Sequence, residues 1–125
     1  MSNDKWKMMV VLMTTANGEE ASRLAEMLVG SRLAACVQIL PEIESVYRWK
    51  GKVRRAAEVL LLAKTTQTRF AELERQIRAL HSYETPEIIA LPVTQASEPY
   101  LGWLIGETEL GSRKKTKAAA PAGKG

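Results

Sequence analysis

The chain has 125 residues, with 18 Lys and Arg against 14 Asp and Glu, for a formal charge of +4. That excess is local. Residues 111–125, GSRKKTKAAAPAGKG, hold five bases and no acid, leaving 13 bases against 14 acids in residues 1–110. A basic folded surface is therefore excluded as the chain's main feature. The tail has almost no apolar side chain to offset the entropy of ordering it, so residues 111–125 are expected to be disordered. Residues 1–110 are expected to form one domain, since chains split into several only beyond ~250 residues. The single cysteine, Cys36, excludes an internal disulfide and a cysteine-based zinc cage. No apolar run approaches the ~20 residues that span a bilayer, and the N-terminus lacks a signal-peptide pattern. A cytoplasmic protein without membrane contact is expected.

In chain order, Met8 to Met13 (MMVVLM) is a continuous apolar run, as in a strand covered on both faces or a central one. Asn17 followed by Glu20 resembles a capping box, and Ala21, Leu24, Ala25, Leu28 and Val29 then mark one helix face. Ala34 to Leu40 is a short β-capable run that stops at Pro41. Ile43 to Lys50 forms a second extended piece, in which Tyr47 and Trp49 share a face. Gly51 and Lys52 suit a hairpin tip, and Val59 to Leu62 a further strand, so a hairpin should reach well beyond the sheet. Phe70, Leu73, Ile77 and Leu80 lie on one face of a helix over residues 68–80, with Glu74 and Arg78 paired on its outer side. Ile88 to Val93 is the last strand, and Pro92 makes it an edge strand or a bulged one. Ser97 caps a last helix with Pro99 in its first turn.

This order implies an α+β fold, a ferredoxin-like βαββαβ sandwich with an extra C-terminal helix. Helices on one side leave the other face of an apolar sheet bare, which calls for a partner, most simply copies of the same chain.

Few residues carry obvious chemistry. There is no P-loop, nucleophile elbow or dinucleotide-binding glycine motif, and the chain is expected not to be an enzyme. Cys36 reads as a small buried hydrophobe. His81, the one histidine, reads as a capping residue at a helix end, or as a metal ligand if symmetry gathers several His81, or His81 with Glu84, around a borderline divalent ion. Met8, Met9 and Met13 read as core residues rather than soft copper donors. Tyr47, Trp49, Tyr83, Tyr100 and Trp103 suit packing or subunit contact. The alternative is a small-ligand cleft lined by some of them, with Lys64 facing an anion.

The strings LAACVQILP (Leu33 to Pro41), SVYRWKGK (Ser45 to Lys52), EVLLLAKTT (Glu58 to Thr66) and HSYETPEIIALPVTQASEPYLGWL (His81 to Leu104) resemble, in order and spacing, the CutA divalent-cation-tolerance family. The resemblance covers roughly residues 7 to 108. It implies a ferredoxin-like homotrimer with the hairpin reaching to its neighbours, a cytoplasmic role in tolerance of divalent cations, Cu2+ especially, and an architecture like that of the PII signalling proteins. That likeness makes a small effector the alternative ligand. The family's copper ligands fall on Met13, Leu80 and His81 of this chain, so only the histidine at His81 is kept. Met13 is at most a soft Cu(I) donor. An acidic stretch usual in the family is Arg54, Arg55, Ala56 and Ala57 here. The candidates for metal are His81, Glu84, Cys36 and Met13, and those for a possible inter-subunit cleft are Tyr47, Trp49, Lys64, Tyr83, Glu84 and Trp103. Non-specific contact of the basic tail with nucleic acid is a competing but weaker expectation.

Overall fold

The computed structural model describes residues 7–109; the tail at 111–125, read from composition as disordered, lies outside the described residues. The apolar run at the start becomes strand β1 (Met8–Thr15), followed by helix α1 (Gly18–Gly30), strands β2 (Cys36–Trp49) and β3 (Lys52–Thr66), helix α2 (Gln67–Leu80), strand β4 (Ile88–Pro92) and helix α3 (Glu98–Thr108). The strands form one sheet in the order β2-β3-β1-β4, with every neighbouring pair antiparallel. This is the expected ferredoxin-like arrangement. β1 is central because it is apolar on both sides, and β4 is an edge, where the missing N–H of Pro92 breaks no inner ladder.

Alternation along β1 and β3 divides the sheet into two faces. Val11 and Met13, with Leu61 and Ala63 opposite, are fully buried beneath α1 and α2, against Leu28, Leu73 and Ile77. Leu80 departs from the expected helix face and is 55% exposed, because α2 ends there and the chain turns away at His81. Glu74 and Arg78 do pair, at 3.6 Å and in solvent, a contribution of only a few tenths of a kcal/mol.

The two extended pieces read between Ala34 and Lys50 are one strand. Its register shifts between Leu40 and Ile43, where Pro41 cannot donate a hydrogen bond and Glu42 takes a left-handed φ of 58°, so the ladder bulges rather than stops. Beyond Val59, the last β3 residue paired with β1, the β2–β3 ribbon continues alone to its tip, as the long hairpin pattern implied. The turn is Lys50–Gly51, one residue earlier than the sequence suggested, with φ of 52° and 79° and Trp49 opposite Lys52. Positive φ at both central positions suits the right-handed twist of a two-residue hairpin. Gly51→Ala is expected to lower stability by about 1 kcal/mol, as read by urea denaturation. A Cβ there would meet nothing within 4 Å, so the whole cost is backbone strain.

Asn17 caps α1 as expected, its Oδ1 accepting from the Glu20 amide at 2.8 Å. Glu20 does not complete the capping box with its side chain, which points instead at Ser82. Ser97 caps α3 through the Tyr100 amide. Leu104 of α3 closes a second small cluster with Met8 and Ala35.

Candidate functional site

The site grows from the chain's exit from α2. The amide of His81 donates to the carbonyl of Ile77 at 2.9 Å, ending the helix and turning the imidazole inward, where it is fully buried. The Nδ1 atom accepts from the Tyr83 amide at 2.9 Å. With that lone pair used, Nε2 carries the proton and donates to the Thr14 carbonyl at 2.8 Å. The ring therefore ties α2 to the end of β1 and has no lone pair left for a metal. Ser82 is fixed in turn, its amide and hydroxyl donating to Glu20 at 2.8 and 2.9 Å.

These bonds hold Tyr83 with its ring 4.7 Å from that of His81 and its hydroxyl aimed at β3. The phenol donates to Oε2 of Glu58 at 2.6 Å, and the Ser45 hydroxyl donates to Oε1 at the same distance. Burial, reinforced by the Glu58 carboxylate, pushes the Tyr83 phenol far above its usual range, so it remains a donor. Burial also pushes the Glu87 carboxyl up, and the negative charge of Glu58 adds to the effect. Beside this carboxylate is a cavity of about 280 Å³ lined by Tyr47, Trp49, Glu58, Tyr83, Glu84 and Thr85. Tyr47 and Trp49 enter it together because they are two apart on β2, and they remain 43% and 41% exposed. The lining contains two carboxylates and no base.

Tyr47, Trp49, Tyr83 and Glu84 are thus brought together within one chain, whereas Lys64 and Trp103 of the same chain lie elsewhere. Lys64 is paired with Cys36 and Val10 in the sheet and donates to Gln38 at 2.9 Å. Trp103 borders a separate cavity of about 390 Å³ with Arg32, Ala35 and Glu107. The four metal candidates are likewise dispersed. Met13 is fully buried in the core. Cys36, expected to be buried, is half-buried near Tyr100, whose phenol is pushed up by burial and then by Cys36. His81 is engaged at both nitrogens, and Glu84 lines the cleft beside Glu58. Among the described residues no three His, Cys, Asp or Glu side chains gather to hold an ion.

Glu58 and Thr85 were not singled out from the sequence. A signal for Glu58 existed, because a Lys50–Gly51 turn sets the register and places Glu58 on the face of Tyr47 and Trp49. Nothing comparable pointed to Thr85.

No helix among the described residues is long and apolar enough to cross a membrane. The family model "CutA1 divalent ion tolerance protein" matches residues 9–107. The chain is 48% identical over 99 residues to the "Divalent-cation tolerance protein CutA" of Thermus thermophilus, covering 79% of this chain and 96% of that one. It is also 48% identical over 99 residues to "Protein CutA, chloroplastic" of Arabidopsis thaliana, again 79% of this chain but only 54% of the relative. The crystal structure of CutA1 from Oryza sativa superposes with a TM-score of 0.82 at 42% identity, covering 86% of this chain and 99% of that one. The family match takes in the β2–β3 hairpin, the His81 turn and all but one residue of α3, and the chain belongs to the CutA1 divalent ion tolerance protein family.

Proposed function

We propose that this protein supports tolerance of divalent cations by binding them weakly at the Glu58–Glu84 cleft, as a non-catalytic homotrimer. Family membership supports the role. The single observation that carries the location is the lining of the cleft, with two carboxylates and no base. Two carboxylates suit a divalent ion that keeps most of its water. They fall short of the closed ligand set that tight binding needs. The buried imidazole of His81 acts here as a structural strut rather than a ligand.

The trimer is supported by the sheet face turned away from α1 and α2. There Val10, Leu12, Leu60 and Leu62 are only partly covered, and Leu40, Ile89 and Leu91 are 40%, 47% and 47% exposed. A continuous apolar face of this kind is covered by a partner in a soluble protein. A cytoplasmic location fits the single, unpaired Cys36, a usage suited to a reducing compartment. Cell fractionation checks it, and recovery in the membrane or an exported fraction would exclude it.

Calorimetric titration of Cu2+ tests the binding site. The expected constant lies in the range of about 10 μM to 1 mM. The double variant Glu58→Gln, Glu84→Gln should lose at least about 80% of the saturable heat, consistent with loss of both charged oxygen donors. His81→Ala should leave the constant within about twofold at a temperature where that variant is folded. Loss of binding in His81→Ala with retention in the double variant would reverse the assignment.

A further inference from the structure

We propose that the Tyr47–Trp49–Glu84 cleft also binds an organic ammonium ion, with the aromatic rings as walls and the carboxylates as counter-charge. The inference rests on the same cleft as the metal reading and shares its two carboxylates, but adds the aromatic walls that a hydrated metal ion does not need. Tyr47 and Trp49 lie on one face of β2 and keep roughly two-fifths of their surface open within one chain, and both line the cleft. The cavity of about 280 Å³ is close to the lower end of small-molecule sites, about 300 Å³.

The charge on the lining itself is one-sided, although Lys52 lies across from Trp49 in the ladder. Glu58 and Glu84 line it, and the Glu58 charge is felt as far as Glu87, whose carboxyl is pushed up by burial and then by Glu58. Arg54, opposite Tyr47 in the ladder, does not line the cleft, and its guanidinium donates to the Trp49 carbonyl at 3.3 Å. Tyr83 adds an edge held by its bond to Glu58.

The same features discriminate between cations. A small divalent ion must exchange strongly held water for oxygen donors, and two carboxylates are few. An alkylammonium gives up little hydration along its apolar stem. It gains from aromatic faces by the cation–π effect and from the carboxylates through its N–H groups. A neutral molecule of the same shape would gain only the apolar contact.

The test is calorimetric titration of the full-length protein, free of added metal, with n-pentylammonium chloride and with n-pentanol as its neutral counterpart. A saturable constant of about 0.1 to 10 mM is expected for the ammonium, with n-pentanol at least about fivefold weaker. Trp49→Leu should weaken the ammonium about two- to fivefold, and Glu84→Gln, an exposed position, by a similar factor of about two to five. Absence of saturable heat, equal binding of n-pentanol, or unchanged affinity in both variants would overturn the inference. Because no metal is present, its failure leaves the Cu2+ reading standing, and failure of the Cu2+ titration leaves this one standing.

Discussion

Glu20→Ala is expected to lower stability by about 2–4 kcal/mol at neutral pH, and Glu20→Gln by about 1–2 kcal/mol, as read by urea denaturation. The Glu20 side chain is 5% exposed, and its two oxygens accept from the amide and the hydroxyl of Ser82. Removing it takes the acceptor from both Ser82 donors at a part-buried site, where an unmade hydrogen bond costs more than an average one contributes. The glutamine keeps one acceptor but must place an NH2 where the second stood. Both changes also loosen the turn that holds His81 and Tyr83, so the cleft should lose order before the core does.

The same residue makes stability depend on pH. Burial acts to raise the Glu20 carboxyl, but the Ser82 amide and hydroxyl, with His81 and the Ala16 amide, outweigh it, and the group lies below its ordinary value of 4.5. The unfolded chain therefore binds the proton more readily, so stability falls as pH falls. The contribution is fully present above 4.5 and is lost as pH drops through the folded-state value. Between pH ~5 and ~3 the wild type should lose stability more steeply than Glu20→Gln. Parallel slopes would show that another group controls acid unfolding.

The second large effect concerns assembly. Leu91→Lys lies on the edge strand β4 at a position 47% exposed within one chain. If the chain works alone, such a surface change shifts stability by no more than about 0.5 kcal/mol. On the proposed trimer the lysine would enter an apolar interface, where an unpaired charge costs several times as much. Sedimentation equilibrium is expected to give a mass three times that of the 13.9 kDa chain for wild type and that of one chain for Leu91→Lys, with an unchanged far-UV spectrum. A wild-type monomer at micromolar concentration would remove the trimer from the account.

Elements with strong local signals were legible in the sequence. The apolar run of β1, the Asn17 and Ser97 caps and the periodic face of α1, apart from Val29 at 44% exposed, formed where the pattern placed them, because each depends on neighbours a few residues away. Pro92 on an edge strand followed from the missing N–H alone. The β2 break was misread because Pro41 usually ends a strand, whereas here a bulge absorbs it while the partner β3 runs on uninterrupted.

The cleft was legible in part. Tyr47, Trp49, Tyr83 and Glu84 could be grouped by residue type and by resemblance. Including Glu58 depended on strand register, which composition does not carry, and within one chain Lys64 lies farther along β3 and Trp103 on α3. His81 shows the limit most clearly. A lone histidine at a helix end permits a cap or a ligand, and only the positions of the Thr14 carbonyl and the Tyr83 amide decide between them.

The central claim is that cations meet this protein at the cleft carboxylates and not at the histidine. Crystals soaked in Cu2+ and measured at the copper absorption edge test it directly. The account predicts an anomalous peak beside Glu58 and Glu84, with the His81 imidazole still bonded to Thr14 and Tyr83. A peak on a His81 nitrogen, with that ring turned out of its two hydrogen bonds, would contradict it.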